Sequence, residues 1–288
     1  MGRRPNELRV NGTENLVAVI SWRRARLDIA LITADNKIAF RDQIPLTEEE
    51  DKVDKITSTF FNIMKPKAGD KRIMGLCIII PGIIDAENKR ILSTVIGVGY
   101  SDPVVQRFEE AFHDYPFCLL NDTACFAYAE YVFANITEPN FAYINVSKGV
   151  GACLFANGKM LRGAGSNATQ FGHFSVDRNG PLCACGNHGC VERVVGENAL
   201  AERAEMCGID LTRFAGRKPL YCDIGAMAEE GDAHAKELIK DLAVDLSFAI
   251  SNLITLFNPS LVVIGGMGVN LGPFFLSNIR DEVQNSGF

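Results

Sequence analysis

The sequence predicts an α/β protein built from two lobes. Its 288 residues are about twice the length of an average domain of roughly 150 residues. Short apolar runs of strand length alternate with segments whose apolar residues recur at helical spacing, which is typical of α/β lobes. With 47% hydrophobic and 22% charged residues, the chain has the composition of a folded globular protein. We expect a linker-like segment over residues 1–14, a first lobe over 15–121 and a second lobe over 122–288.

The first lobe is predicted to begin with a β-meander and a long helix. Three apolar runs alternate with turn residues in the manner of a meander: residues 17–20, 27–33 and 37–41. A helix follows over residues 47–64, where apolar residues recur at helical spacing. We expect Thr47 to cap this helix, with Glu50 as its partner in a capping box. The lobe then continues with a buried strand, a helix and a short strand: residues 73–80, 102–113 and 117–120.

The second lobe is predicted to contain a tight hairpin and a long helix. Asn157-Gly158 lies between two apolar runs, and this pair is a strong signal for a hairpin turn. The helix over residues 233–257 ends before Asn258-Pro259, because proline cannot continue a helix. The other elements are a helix, three strands and a buried strand: residues 123–133, 142–146, 151–156, 159–161 and 261–264.

Charge and hydropathy exclude several classes of protein. The 35 acidic and 29 basic residues give a formal net charge of −6, so the chain lacks the basic surplus of a nucleic-acid-binding protein. Its longest apolar runs are far shorter than the roughly 20 residues that cross a membrane. The N-terminus has basic residues but no apolar core behind them, unlike a signal peptide. We therefore expect a cytoplasmic protein with no membrane contact.

A polar, glycine-rich loop at residues 173–190 carries the strongest chemical signal. His173, Cys183, Cys185 and Cys190 follow the spacing His-x9-Cys-x-Cys-x4-Cys. Three thiolates and one imidazole form a common tetrahedral zinc set, and four protein ligands leave no open position for water. The sequence therefore predicts a structural zinc site. The alternative is a set of inert buried thiols with the histidine on an unrelated strand.

Nine cysteines is an odd count in a chain without signs of secretion, which argues against a disulfide framework. Inside the loop, His188 could compete as a metal ligand, but we expect it to be solvated. The cysteines outside the loop stand in mostly apolar surroundings and are predicted to be core residues: Cys77, Cys118, Cys125, Cys153, Cys207 and Cys222.

The same loop resembles the signature of the ROK family (repressors, open reading frames, sugar kinases). The family joins Glu-x-Gly-His to Cys-x-Cys-Gly-x-x-Gly-Cys-x-Glu, and the matching stretches here are 170–173 and 183–192. Asn121-Asp122, the hairpin at 155–159 and the apolar strand at 262–266 are similar to further family elements. The resemblance implies the actin-like ATPase or sugar-kinase fold, which is ribonuclease H-like, with a sugar cleft between two α/β lobes.

The resemblance also implies which residues contact a sugar. They are Asn121, Asp122, Gln170, His173 and Glu192. Asp122 stands at the place of the kinase general base, and His173 would serve zinc and sugar together. Gln170 replaces the family's glutamate, so ligand identity or affinity is expected to differ, since an amide donates as well as accepts.

Kinase activity requires phosphate-binding turns that this sequence largely lacks. The first turn has the form Asp-x-Gly-Gly-Thr in the family and reads Ser21-Trp22-Arg23-Arg24-Ala25 here, without either glycine. The second, normally Gly-Thr-Gly-x-Gly, reads Ser147-Lys148-Gly149-Val150-Gly151 and is half retained. Because phosphoryl transfer depends on positioning and charge stabilisation, we expect neither ATP binding nor catalysis.

The N-terminus favours one branch of the family. Gly2-Arg3-Arg4-Pro5, with residues 8–11, resembles the linker that precedes the ROK domain of repressors. We therefore expect the effector-binding and oligomerisation domain of a transcriptional regulator, a homodimer or homotetramer that binds a sugar or sugar phosphate. DNA contact is expected only through a helix-turn-helix absent from this chain, and the family's terminal helix is also expected to be missing. The alternatives are an active sugar kinase of the glucokinase type and a zinc-stabilised scaffold that binds only protein partners.

Overall fold

The computed structural model describes residues 12–85, 90–94, 103–164 and 168–287. The linker-like motif at residues 2–11 and Asp102, the expected start of a helix, lie outside these ranges. Within them the chain forms two compact units. Unit 1 contains the described residues up to Cys125 together with Ala164, and unit 2 contains Phe126–Gly163 and the described residues from Ala168 onward.

Unit 1 is organised around a mixed β-sheet. Its strands, in chain order, are β1 (Asn15–Trp22), β2 (Arg26–Thr33), β3 (Ile38–Pro45), β4 (Arg72–Ile80), β5 (Gly82–Asp85), β6 (Arg90–Thr94) and β7 (Phe117–Asn121). In the described residues the sheet has the order β3-β2-β1-β4-β7; β1 to β3 pair antiparallel, and β4 lies parallel to both β1 and β7. β5 and β6 form a separate antiparallel ladder. The predicted meander and the buried strand after it are confirmed.

The helices of unit 1 begin later than the sequence predicts. They are α1 (Lys52–Thr59), which continues through a π-helical turn (Phe60–Met64) into α2 (Lys65–Ala68), and α3 (Val104–Ala111). The expected cap at Thr47 is wrong, because α1 is capped by Asp51, whose side chain accepts from the Asp54 amide. Lys52 Nζ donates to the carbonyl oxygens of Thr47 and Glu50, which are therefore satisfied outside a helix.

One face of the sheet carries the core of unit 1. Every second side chain along β1 and β4 is buried: Leu16, Ala18, Ile20, Leu76, Ile78 and Ile80. Three phenylalanine rings pack together on this side. The ring centroid of Phe112 lies 5.3 Å from that of Phe60 and 5.9 Å from that of Phe108. Because successive side chains of a strand point to opposite faces, Cys77 and Ile79 lie on the other face, where they are half-buried.

Unit 2 contains a second sheet. Its strands are β8 (Phe141–Val146), β9 (Val150–Ala156), β10 (Lys159–Met160) and β11 (Leu261–Gly265). In the described chain their order is β10-β9-β8-β11; β11 lies parallel to β8 and the other pairs are antiparallel. Asn157 and Gly158 have φ of +52° and +74°, the left-handed values of a tight hairpin turn. The hairpin prediction is confirmed.

Helices surround this second sheet. They are α4 (Asp122–Phe133), which begins in unit 1, α5 (Val191–Val195), α6 (Glu197–Met206), α7 (Tyr221–Glu229), α8 (Ala233–Phe257) and α9 (Pro273–Asn285), with 3₁₀ turns at Phe171–His173, Leu211–Phe214 and Met267–Leu271. α8 has the predicted bounds, with Asp232 accepting from the Ala235 amide at its start and Asn258 in the left-handed region at its end. Among the described helices, none has both the length and the apolar character needed to cross a membrane.

Gly225→Ala should destabilise unit 2, because α7 packs closely on the 3₁₀ turn Met267–Leu271. A Cβ at position 225 would lie 2.1 Å from the Asn270 carbonyl oxygen. Alanine normally favours a helix over glycine by about 1 kcal/mol, but the clash should reverse this and lower the free energy of unfolding by about 1–3 kcal/mol. Chemical denaturation measures the change.

Cys222→Ala is the control, because Cys222 is exposed on the same helix and should tolerate truncation. If Gly225→Ala unfolds at the same denaturant concentration as the wild type, the close packing of α7 is refuted.

Candidate metal centre and ligand site

The loop at residues 173–190 is folded by main-chain hydrogen bonds. Ser175 pairs with Cys190, and Leu182 pairs with His188, in two short antiparallel bridges. Polar loops of this kind bury little apolar surface, so their shape depends on such local bonds and on any ion they hold. The bridges bring the two ends of the loop together.

Glycines shape the turns of the loop. Gly186 and Gly189 have φ of +89° and +57°, in the left-handed region that glycine adopts without strain. The Gly186 amide donates to the Cys183 carbonyl oxygen at 2.9 Å, which closes the turn between two candidate ligands. At Gly189 a Cβ would lie 1.9 Å from the Asp177 carbonyl oxygen, so no larger residue fits.

Four ligand atoms converge in this loop. His173, Cys183, Cys185 and Cys190 each offer one, and these atoms all lie within 4.8 Å of one another. Cys185 Sγ lies 3.6 Å from Cys190 Sγ, and Cys183 Sγ lies 3.6 Å from His173 Nδ1. Tetrahedral zinc, with Zn–S bonds near 2.3 Å, would separate two sulfur atoms by about 3.8 Å. The cluster therefore could hold a metal ion.

The pKa values of Cys185 and Cys190 are shifted in opposite directions. A hydrogen bond from the Asn187 amide lowers the pKa of Cys185. Burial, and then hydrogen bonds with the neighbouring thiols, raise the pKa of Cys190 to about 12. Since neighbouring thiolates repel one another, all three can ionise together only around a cation. The donor set is thus chemically suited to a metal.

His188, the competing ligand, is not a member of the cluster. It is exposed, and its Nδ1 lies 3.0 Å from the Gly180 carbonyl oxygen. Its own carbonyl oxygen accepts from Ser175 Oγ at 2.7 Å. His188 is therefore held within the loop by one side-chain and one main-chain contact.

Val150, at the start of β9, connects the loop to Glu192. Gly172, in the 3₁₀ turn that ends at His173, approaches so closely that a Cβ there would lie 2.0 Å from the Val150 carbonyl oxygen. The Val150 amide donates to Glu192 Oε2 at 3.2 Å. One residue thus positions both His173 and Glu192, while Gln170 is exposed beside the same turn.

Asn121 and Asp122, the other residues expected to contact a sugar, belong to unit 1. Asn121 Nδ2 donates to the Gly82 carbonyl oxygen, and its Oδ1 accepts from the Ala124 amide at 3.1 Å, so this side chain orients the start of α4. The Thr123 amide donates to Asp122 Oδ1 at 2.8 Å. Burial nevertheless raises the pKa of the Asp122 carboxyl above its usual value.

The turn between β1 and β2 is a short hairpin that begins directly after the buried Trp22. Trp22 is only 2% exposed and lies in the core of unit 1. The Arg23 amide donates to the Arg26 carbonyl oxygen at 2.9 Å and closes the hairpin. Arg23 Nε lies 3.5 Å from Asp28 Oδ2, and the charge of Arg23 opposes the effect of burial on the pKa of Asp122. An arginine therefore lies within electrostatic range of Asp122.

The second phosphate-loop candidate, residues 147–151, forms the turn between β8 and β9. Lys148 is exposed on it. A Cβ at Gly149 would lie 2.5 Å from Glu192 Oε2, so the carboxylate lies directly against this turn. Ser147 Oγ accepts from the Met267 amide at 3.1 Å, which links the turn to the segment after β11.

The prediction that all remaining cysteines are core residues is wrong. Cys153 is buried, but Cys118 and Cys222 are exposed and the other three are half-buried. Sequence reasoning also missed the positioning role of Val150 and Gly172. The available signal was the glycine directly before a candidate ligand, since glycine permits close backbone approach.

The model of the ROK family matches residues 21–286 of the chain. The chain belongs to the ROK family. The proteins to which it is similar include both repressors and sugar kinases. The xylose repressor of Bacillus spizizenii is 28% identical over 214 residues, which cover 74% of this chain and 53% of the repressor. The N-acetylmannosamine kinase of Escherichia coli O139:H28 is 29% identical over 259 residues, which cover 88% of this chain and 84% of the kinase. The chain thus spans about half the length of the xylose repressor it matches.

Solved structures of ROK proteins share the fold. A ROK family transcriptional regulator, described as a homologue of Escherichia coli Mlc, is 24% identical with a TM-score of 0.82, covering 96% of this chain and 71% of that chain. Solved ROK sugar kinases match as well. The expected actin-like sugar-kinase fold is confirmed. Because regulators and kinases share it, family membership alone does not choose between these roles.

Gly189→Ala should disrupt the metal cluster. Position 189 directly precedes Cys190, and an alanine Cβ there would collide with the Asp177 carbonyl oxygen. We expect a loss of about 1–3 kcal/mol in the free energy of unfolding and loss of bound metal. Elemental analysis and thermal unfolding measure the two effects.

Gly186→Ala is the matched control. It also has a positive φ, but nothing lies within 4 Å of its Cβ position, so only backbone strain of about 1 kcal/mol should appear and metal should remain. Equal metal content in both variants would contradict the steric argument.

Proposed function

We propose that this ROK protein is the effector-binding and oligomerisation domain of a transcriptional regulator, with a structural zinc ion and without kinase activity. Its effector is a small sugar or sugar phosphate. The observation that carries the proposal is the turn after β1, where Arg23 and Arg24 replace the glycines of a phosphate-binding turn.

A phosphate cradle requires main-chain amides that are free to donate, with no side chain in the way. At this turn the Arg23 amide already donates to Arg26, and Trp22 is locked in the core. Phosphoryl transfer depends on holding the phosphate and neutralising its developing charge. A turn that cannot hold phosphate supports binding without catalysis.

The second turn is only half retained. Ser147 and Lys148 stand where the family has Gly-Thr, while Gly149 and Gly151 are kept. Glu192 lies against Gly149 and accepts from the Val150 amide. Lys148 is exposed on the same turn and is interpreted as a solvated residue.

We assign the metal cluster to zinc. Cys183, Cys185 and Cys190 supply thiolates, and His173 turns its Nδ1 toward Cys183. Four protein ligands complete a tetrahedral site, so zinc would hold the loop together rather than activate water. Nε2 of the same imidazole then remains available to a sugar hydroxyl, which would couple ligand binding to the metal loop.

Sugar recognition is assigned to the five polar residues that the family resemblance implies: Asn121, Asp122, Gln170, His173 and Glu192. Two of them are carboxylates already oriented by main-chain amides, Asp122 by Thr123 and Glu192 by Val150. Each uses one oxygen in this way. Oriented acceptors of this kind suit sugar hydroxyls, because little side-chain entropy is lost on binding.

Sensing requires that the sugar bind one conformational state better than another. In a homodimer or homotetramer, that preference would change the spacing of the DNA-binding heads. We assign DNA contact to a helix-turn-helix and not to the effector-binding domain, in keeping with the formal net charge of −6. Val132 and Phe133 on α4 are 54% and 66% exposed, and such apolar area suits contact between subunits.

Sugar binding should be detectable without turnover. Thermal-shift screening and calorimetry with free and phosphorylated hexoses, pentoses and amino sugars should identify a stabilising ligand. Asp122→Asn should weaken its binding by about tenfold, since the charged acceptor is lost. Asp114→Asn, which changes an exposed carboxylate of the same unit, should leave the affinity unchanged.

The alternative is a sugar kinase, favoured by the retained Asp122 and by similarity to the N-acetylmannosamine kinase. Sugar-dependent ADP release in a coupled assay, abolished by Asp122→Asn, would replace the regulator with a kinase. Absence of any response to sugars, together with stable metal binding, would favour the protein-binding scaffold instead.

Zinc should be present at about one ion per chain in protein purified without chelators. Its removal should lower the melting temperature, because structural zinc binding is coupled to folding. Cys190→Ser should have the same effect on both zinc content and melting. Cys222→Ser changes an exposed thiol outside the loop and should affect neither, whereas metal-free wild-type protein of full stability would refute the assignment.

A further inference from the structure

Two elements of unit 2 carry the three thiols of the metal cluster. Cys190 is the N-cap of α5, whereas Cys183 and Cys185 lie on a short hairpin of residues 181–189, the cysteine hairpin. The Cys183 amide donates to the Asn187 carbonyl oxygen at 2.8 Å and closes this hairpin. Because a tetrahedral ion needs its ligands at fixed distances, the cysteine hairpin has to be held in place relative to α5.

The helix α5 is itself firmly held. A helix of five residues is not stable alone, but Val191 and Val195 are fully buried. The Val194 carbonyl oxygen accepts from Arg203 Nη1 at 3.1 Å, and the Val195 carbonyl oxygen accepts from the Tyr221 hydroxyl at 2.6 Å. Side-chain donors thus satisfy carbonyl groups that the end of a helix leaves free. α5 is therefore a fixed support for the groups that its side chains contact.

Arg193 extends from α5 to the cysteine hairpin. Its Nε donates to the carbonyl oxygen of Leu182, the residue directly before Cys183, at 3.3 Å. Its Nη2 donates to Glu202 Oε2 on α6 at 3.4 Å. The side chain of Arg193 is 26% exposed and that of Glu202 is 66% exposed. Since exposed ion pairs contribute little, the hydrogen bond to Leu182 is the contact that holds the hairpin.

We propose that Arg193 is a positioning residue of the metal site, whose hydrogen bond to Leu182 holds the cysteine hairpin against α5 and so slows the release of zinc. This inference rests on the zinc ion of the proposed function. Arg193 is not a ligand, and it acts through the main chain one residue before Cys183. Residues beyond the ligands influence a metal in this way because they fix the orientation and spacing of the ligands.

The path of zinc release explains why this bond affects the rate. An ion bound by both elements can leave only when Cys183 and Cys185 separate from Cys190. The hydrogen bond between Arg193 and Leu182 has to break in the same movement. The net contribution of one such hydrogen bond corresponds to about a fivefold change in a rate or equilibrium constant.

Transfer of zinc to a chelator tests the proposal. The whole zinc-loaded chain is mixed with an excess of a chromophoric chelator, and zinc uptake by the chelator is followed by absorbance. Arg193→Met keeps the apolar stem but has no donor, so it should release zinc about fivefold faster than the wild type. Arg193→Lys keeps the positive charge but has a methylene group in place of Nε, so it should also release zinc faster.

Two variants serve as controls. Glu202→Gln removes the charge of the exposed ion pair but leaves the hydrogen bond to Leu182, so zinc should leave at the wild-type rate. Arg213→Met removes another arginine of unit 2, whose Nη1 lies at the same distance of 3.4 Å from a carboxylate oxygen, that of Asp232. It should also keep the wild-type rate.

Melting temperatures separate positioning from a general effect on stability. Zinc raises the melting temperature by an amount set by its affinity, so Arg193→Met should narrow the difference between the zinc-loaded and the zinc-free protein. An equal decrease in both forms, or release at the wild-type rate from both Arg193 variants, would overturn the proposal. Wild-type protein that binds no zinc would refute the metal assignment itself, and the role of Arg193 with it.

Discussion

The main chain of Val150 is the constraint on which the candidate site depends. Its carbonyl oxygen lies where a side chain at position 172 would have to pass, so only glycine brings the His173 turn this close to β9. Its amide holds the Glu192 carboxylate from the other side. The loop from His173 to Cys190 leads directly into α5, and the Val191 amide donates to the Phe174 carbonyl oxygen. The His173 turn and the Glu192 carboxylate therefore share one backbone anchor.

A metal fits this anchor because the loop has little else to stabilise it. It is mostly exposed, and its turns rely on glycines with positive φ. The ligand atoms of three cysteines and one histidine lie within 4.8 Å of one another. Three thiolates this close repel one another, and a bound cation would offset that repulsion because it attracts all three. In the proposed regulator, the same ion fixes the orientation of His173. Loss of the ion would then both destabilise the loop and weaken ligand binding.

Local signals in the sequence predicted most of the fold, and long-range contacts explain the failures. The bounds of α8 and the Asn157-Gly158 hairpin follow from caps and turn residues that act within a few positions. The cap at Thr47 failed because Lys52 binds carbonyl oxygens that a helix would have used. Cys118 has apolar neighbours in sequence, but strand alternation places it on the opposite face from Leu119, which is buried. The metal set was predictable from spacing, whereas the meeting of Gly172 with Val150 was not, since nothing in the sequence pairs them.

Binding and catalysis make different demands on the residues around Asp122, and the proposed function follows from which demands are met. Recognition of a hydroxyl needs an oriented acceptor, and Asp122 is oriented by the Thr123 amide at the start of a helix that Asn121 caps. Catalysis needs in addition a group to hold and neutralise a phosphate. The first turn instead carries Arg23, whose charge is already engaged by Asp28 and acts on Asp122 itself. The charge of Arg23 opposes, but does not outweigh, the burial that raises the pKa of Asp122. The residues around Asp122 thus provide an oriented hydrogen-bonding group for a hydroxyl and no cradle for a phosphate.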